Sequence, residues 1–377
     1  MNTDEVTNQT NNEPDGLIES YVKMSALDKA SYYYCSNYDV IARYACNNQK
    51  KGHKVFIDQE KQKPFTCRFC GKTAPEVTFN NTAHALSELI GNKTVFLKCE
   101  CDSCNKRFGR IYENHLANYL GPYRTLFYTY GKNGIPSYKT GDEKFRIDVN
   151  DKEVVIQEAH DKCIVNTDNE RFIVKLPRNK YIPLMVFKSF VFMALSLVPE
   201  EELPAFQETI SWLNSDQDEL PDFLSNASYA THVNERFVEG NKPLQVQAWV
   251  IRRKKGKKCP YAFLILEFDN LFYQVSIPCL SQDKDLANEP LSFPGFPSTI
   301  DVNPRLKDAR QCVKDINLSS LNPVIGEMVE LELKYDFRVE MHIASTAALD
   351  SIVSEKGIKP LKGFIDNKTD TNDTDRV

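Results

Sequence analysis

Four cysteines in two CxxC pairs carry the clearest chemistry in this chain. Cys67 and Cys70 form the first pair, Cys101 and Cys104 the second, about thirty residues apart. Thiolates at that spacing suit a tetrahedral zinc site, in which two knuckles fold a short segment back on itself. So short a segment buries little apolar surface, and the metal supplies the folding free energy. Cys99, two residues before Cys101, reads as a spare thiol. A histidine, His84, lies between the pairs, 14 residues after Cys70 and 17 before Cys101. An asparagine, Asn105, follows the second pair directly, 21 residues after His84.

This layout resembles the HNH, or ββα-metal, endonucleases, and within them the zinc-stapled branch of the endonuclease VII type. The resemblance covers about residues 60–125 and says little about the rest. It implies that His84 ends the first strand as general base, and that Asn105 opens the α-helix and gives an oxygen ligand to a catalytic Mg²⁺ or Mn²⁺. Glu113, eight residues on, falls roughly two turns along the same helix and reads as the carboxylate that completes the metal site. The chemistry needs these groups. Hydrolysis of a phosphodiester takes a base near neutral pKa, a cation on the developing charge and a clamp on the leaving oxygen. One departure stands out, because the family commonly has an acidic residue or a histidine just before the base, and this chain has Ala83. His115 is a second candidate ligand, with a partly exposed helix residue as its plainer reading. Asn105 also suits helix capping.

Charge supports a polyanionic partner. The chain is acidic overall, with a formal charge of −5. Residues 61–130 nevertheless carry ten basic and five acidic side chains, a local +5. Lys106, Arg107 and Arg110 fall on the first turns of the Asn105 helix, where contacts to phosphate would be useful. DNA is the expected partner, with RNA as the variant.

The elements around this motif point to an α+β protein. The expected organisation is a polar tail at 1–16, a zinc-stapled HNH module at 17–130, and a linker at 131–143. A C-terminal α+β domain rich in antiparallel strands fills 144–365, and a second polar tail fills 366–377. Residues 17–58 read as helical and then irregular, with Tyr32, Tyr33 and Tyr34 as core aromatics. Short strands are expected near 145–149, 153–157 and 171–175, and helices over 182–197 and 201–214, broken by Pro199. The apolar stretch 182–199 contains Lys188 and two serines, and reads as a buried helix and not a membrane span. Alternation marks strands at 244–250, 329–333 and 337–343, and a hairpin over 245–268 whose tip, 252–258, is strongly basic. That tip is read as a solvated loop, a DNA-backbone clamp or a phosphate-ligand sensor.

Eleven cysteines with no signal-like pattern at the N-terminus point to a reducing cytoplasm, bacterial by the family resemblance. The two-part architecture resembles bacterial defence nucleases, some of which sense a cyclic oligonucleotide through a C-terminal domain. That likeness implies an anti-phage role and a nuclease gated by a regulatory nucleotide or protein partner. The competing class is a catalytically inactive, zinc-stabilised nucleic-acid-binding protein, which Ala83 keeps open.

Overall fold

A computed structural model describes residues 24–47, 53–141, 145–149, 154–158, 164–166, 171–215, 221, 224, 229–238, 245–286, 291–299, 301 and 311–334. The expected tails at 1–16 and 366–377 and the strand at 337–343 lie outside these residues. The chain opens with α1 (Ala26–Asn37), started by the Ser25 hydroxyl, which accepts from the Asp28 N–H. It runs directly into strand β1 (Tyr38–Asn47). Then come β2 (Val55–Phe56), β3 (Ala83–His84) and β4 (Val95–Leu97). The helical arm follows as α2 (Asp102–Phe108), a π-helical turn (Gly109–Glu113) and α3 (Asn114–Leu120), with α4 (Pro122–Leu126) after it.

Beyond these lie β5 (Tyr138–Lys139), β6 (Phe145–Val149), β7 (Val154–Glu158), β8 (Ile164–Asn166) and β9 (Arg171–Pro177). The long helix α5 (Pro183–Leu197) is followed by a 3₁₀ stretch (Glu200–Phe206) and α6 (Gln207–Asn214). The remaining strands are β10 (His232–Val238), β11 (Gln245–Arg253), β12 (Ala262–Phe268), β13 (Leu271–Ile277), β14 (Gln311–Asn317) and β15 (Met328–Lys334). The fold is α+β, and among the described residues the strand pairings are antiparallel apart from a parallel β2–β4 pair.

The largest sheet has six strands in the order β1-β11-β12-β13-β10-β14. Every residue of β12 and β13 is buried, so both faces of the sheet centre are covered. One face carries Leu264, Leu266, Tyr273 and Val275. The alternate residues Phe263, Ile265 and Phe272 join Tyr34, Tyr38 and Trp249 on the other. Tyr34 is therefore a core residue, whereas Tyr32 is 55 % exposed.

Helix α5 is buried along its whole length, and it packs on β12 and β13 as well as on the π turn and α3. A helix that is apolar all round belongs in an interior. Its one lysine, Lys188, has its ammonium 4.8 Å from the centroid of the Trp212 ring. Among the described residues no helix is long and apolar enough to cross a membrane.

The structure differs from the expected elements in three places, the first being that the front half of the expected helix 201–214 is the 3₁₀ stretch Glu200–Phe206. Residues 38–47 are not irregular: they form the edge strand β1, paired with β11 from Tyr38↔Arg253 to Asn47↔Gln245. The N-terminal segment thus adds an edge strand to the large sheet. The expected linker also carries structure, since β5 pairs with β6 and Tyr138 is buried. One apolar core runs from Cys67 and Phe108 through α5 to Leu266 and Val275.

Candidate active site and metal centre

The zinc-type cage is built from two backbone turns. In the first knuckle the Cys67 N–H donates to the Lys72 carbonyl and the Gly71 N–H to the Cys67 carbonyl, both at 2.9 Å. Gly71 sits at φ +70°, the left-handed region where glycine is at home. In the second, Cys101 is the N-cap of α2, so Cys104 lies in its first turn. The Arg68 N–H donates to the Cys99 carbonyl at 2.8 Å and ties the knuckles together. The sulfurs of Cys67, Cys70, Cys101 and Cys104 all lie within 4.8 Å of one another. The Cys70–Cys101 sulfur pair is 3.8 Å apart. Zn–S bonds of about 2.3 Å give a tetrahedron with edges of about 3.8 Å. The donor set and its size therefore fit zinc. Hydrogen bonding from the Cys104 thiol, with help from backbone N–H groups, pulls the Cys67 thiol down to about 5, toward the thiolate a metal takes. Cys99 stands outside the cage, its thiol pushed up to about 12 by burial.

The cage also sets the strand that carries His84. Inside the second CxxC, the Asp102 carboxylate accepts from the Thr78 hydroxyl at 2.5 Å and from the Asn80 and Asn81 N–H groups at 3.1 and 2.9 Å. Despite the desolvation of partial burial, these bonds hold its carboxyl at about 2, ionised throughout the working range. Asp102 therefore fastens the approach to β3 onto the start of α2. On the far side of β3, the fully buried Asn92 donates to the Leu86 and Val95 carbonyls at 2.7 and 2.8 Å and accepts from the Thr94 and Val95 N–H groups. The resulting hairpin pairs Ala83 with Leu97 and His84 with Phe96.

His84 packs its imidazole against Phe96, with ring centroids 4.6 Å apart, and remains partly exposed. Burial pushes its pKa below the ordinary histidine value, and the nearby charges of Lys93, Lys54 and Lys132 push the same way. Glu88 opposes them. The net result is an imidazole that is neutral at neutral pH. Glu113 is partly buried, and desolvation raises its carboxyl, with Glu88 adding to the rise while the Ser87 hydroxyl and Arg124 oppose it. Glu88 thus acts electrostatically on both His84 and Glu113. Glu88 itself opens a 3₁₀ turn (Glu88–Ile90) and pairs with Lys93 at 2.9 Å. Sequence reasoning passed over both Glu88 and Asp102.

The π turn matters to this geometry. An α-helix advances about 100° per residue, so eight residues would leave Glu113 roughly 80° past Asn105. A π turn inserts about one residue without advancing the face, which reduces that offset to roughly 20°. Gly109, halfway between, has its Cβ position only 3.6 Å from Glu113 Oε2, so the carboxylate folds back along that face. The helix starts at Asp102 with Cys101 as its cap, so Asn105 lies one turn inside and its side chain is not spent on capping.

The remaining candidates are dispersed. His115 Nδ1 accepts from the Ile182 N–H at 3.1 Å, which turns this residue to the start of α5 and occupies that lone pair. Arg107 donates to the Asn214 and Ser215 carbonyls at 2.5 and 3.1 Å, binding the C-terminus of α6. Lys106 and Arg110 stay exposed. In the basic hairpin tip, Arg253 pairs with Asp283, Arg252 with Glu202, and Lys254 donates to the Cys35 carbonyl. Lys255, Lys257 and Lys258 are left exposed around Gly256. Ala83 is only 1 % exposed and can ligate nothing.

Residues 67–120 match the family model described as HNH endonuclease. No curated protein and no solved structure gives a significant match to the chain. The match and the four-cysteine cage together fit a zinc-stapled HNH module within the chain.

Proposed function

We propose that this protein is a divalent-metal-dependent endonuclease that hydrolyses phosphodiester bonds in DNA. The observation that carries the reading is the coupling of His84 to the zinc cage. Asp102 joins the strand bearing a neutral imidazole to the helix bearing Asn105 and Glu113. In this reading His84 takes the proton from the attacking water, and Phe96 and the Asn92-closed hairpin hold its ring in place. Asn105 and Glu113 would hold one Mg²⁺ or Mn²⁺, which when bound stabilises charge on the phosphate and the leaving oxygen. Glu113 must ionise to do so, against its burial. The test is nicking of supercoiled plasmid by the full chain with Mg²⁺, Mn²⁺ or chelator. We expect metal-dependent nicking that is lost in His84→Ala. A variant that still nicks at the wild-type rate would remove His84 from the mechanism.

A second reading keeps the binding and drops the catalysis, and one observation favours it: Ala83 leaves β3 without an acidic ligand. Binding without nicking in any metal would decide for it. The setting we favour is a reducing bacterial cytoplasm and anti-phage defence, on architectural likeness alone. Gating through the C-terminal part has a physical route in α5, which touches both the π turn and the large sheet.

A further inference from the structure

The helix is the expected place for phosphate contacts, yet cations whose charge reaches His84 come from elsewhere. Lys54 lies just before β2, whose Val55 N–H donates to the Thr94 carbonyl at 2.7 Å. Its ammonium stands 5.2 Å from the centroid of Phe96, the ring that packs on His84. Lys132 comes from a different segment, the tight turn closed by the Gly131 N–H to the Gly134 carbonyl at 2.9 Å. Gly134 takes φ +101°, which lets the turn close and leaves Lys132 exposed near its tip. The turn is anchored: Lys93 Nζ donates to the Gly131 carbonyl at 2.6 Å and to Glu88 Oε1 at 2.9 Å. Arg124 Nε, from α4, donates to the Leu89 carbonyl at 2.8 Å and braces the 3₁₀ turn that carries Glu88, the partner of Lys93.

We propose that Lys54 and Lys132 form the phosphate-binding rim of this site, gripping the nucleic-acid backbone as it passes His84, with Lys93 positioning the turn that carries Lys132. The inference rests on the nuclease reading for its substrate and assigns the surface that takes it. Lys54 and Lys132 are exposed, and among the described residues neither has a carboxylate partner. Arg107, by contrast, is already committed to α6. The charges of Lys54, Lys93 and Lys132 are all felt at His84 against the one carboxylate of Glu88. A positive rim beside a partly buried base draws a phosphodiester to the place where the base can act. Lysines on separate loops give point charges and no fixed donor fork, so the rim reads backbone and not sequence.

The test compares Lys54→Gln/Lys132→Gln with Lys106→Gln/Arg110→Gln in the full chain. Binding of a labelled DNA duplex is followed by fluorescence anisotropy in chelator across a salt series, so that no cleavage is needed. We expect the rim variant to bind roughly tenfold more weakly and its salt slope to flatten by about 1.8, close to 0.9 for each phosphate no longer neutralised. Lys54→Arg/Lys132→Arg should restore both. In nicking assays KM should rise while kcat at saturating DNA holds. Zinc content and the melting curve should match wild type, since both side chains are at the surface. Unchanged affinity and slope in the rim variant, or a weakening confined to the helix variant, would overturn the assignment. A wild-type chain that nicks nothing, with the rim variant still binding weakly, would sink the nuclease reading and support the rim.

Discussion

His84 can act as a base only while its imidazole is neutral, and the groups around it set the pH at which that holds. Burial against Phe96 lowers its pKa, Lys93, Lys54 and Lys132 lower it further, and Glu88 raises it. The acid limb of kcat/KM should therefore fall below the ordinary histidine value of about 6.5. Glu88→Gln removes a group that favours the imidazolium, so the limb should move to still lower pH; a pH–rate profile shifted upward would contradict this account. Glu113 responds in the opposite direction, because burial raises its carboxyl. If Glu113 holds the ion as proposed, it protonates as pH falls through that raised value, and the Mg²⁺ or Mn²⁺ needed for half-maximal nicking should climb. Glu113→Gln should show the higher metal requirement at every pH and lose its pH dependence. The spacing of His84 and Asn105 to the cysteines was legible in the sequence because the knuckles and hairpin are local. Glu88 and Asp102 were not, since their roles depend on how a 3₁₀ turn and a loop fold over the site.

At the scale of elements, the π turn and the zinc cage hold the site. Buried Phe108, Tyr112, Leu116 and Leu120 recur every four residues. In an uninterrupted α-helix that spacing would drift by about 40° each time. That drift was the available signal for an inserted residue, but so short a run does not separate it from ordinary helix. Gly109→Ala adds a Cβ at 3.6 Å from Glu113 Oε2, an ordinary contact. Helix propensity should then raise stability by up to about 1 kcal/mol. The methyl would also cover the face between Asn105 and Glu113, so thermal melts should show a sturdier protein and metal titrations a weaker enzyme. The regular periods elsewhere read well: β6, α5 and the β11–β12 hairpin fall where alternation or an apolar run placed them. Strand β1 was missed because it is an edge strand with exposed Val40, Arg43 and Ala45 interrupting its pattern. For the cage, structural zinc contributes roughly 10–16 kcal/mol of apparent binding energy. That is as large as the whole stability of a typical domain, about 5–15 kcal/mol. Cys101→Ser should therefore lose stoichiometric zinc and unfold the module, read by metal analysis and by circular dichroism.

How far that unfolding spreads depends on how the whole molecule is joined. Phe69 from the first knuckle and Phe108 from α2 both pack on Phe192 of α5, with centroids 5.0 and 4.6 Å apart. Each such ring contributes roughly 1.5–3 kcal/mol when fully buried. Arg68 donates to the Leu195, Ser196 and Val198 carbonyls, where its charge meets the negative end of the α5 dipole. At the other end of the arm, the Tyr119 hydroxyl donates to buried Glu235 at 2.7 Å, and Tyr273 from β13 donates to the same oxygen at 2.9 Å. Removing one such donor from a buried carboxylate costs about 1–3 kcal/mol. The module is thus fastened to α5 at one end and to the large sheet at the other. Sequence could not show this, because Phe192 and Glu235 meet the module only through the fold. A fragment of residues 1–130 makes a decisive case. It would lack β11, the partner of β1, and would expose Phe69 and Phe108 where α5 had covered them. An unpaired edge strand beside an apolar patch favours association over folding. The fragment should therefore aggregate or fail to hold zinc, as size-exclusion chromatography and metal analysis would show, and its inactivity would say nothing about gating. A monomeric, zinc-loaded fragment that nicks DNA would instead mean that the cage suffices and that the contacts to α5 restrain an already complete site.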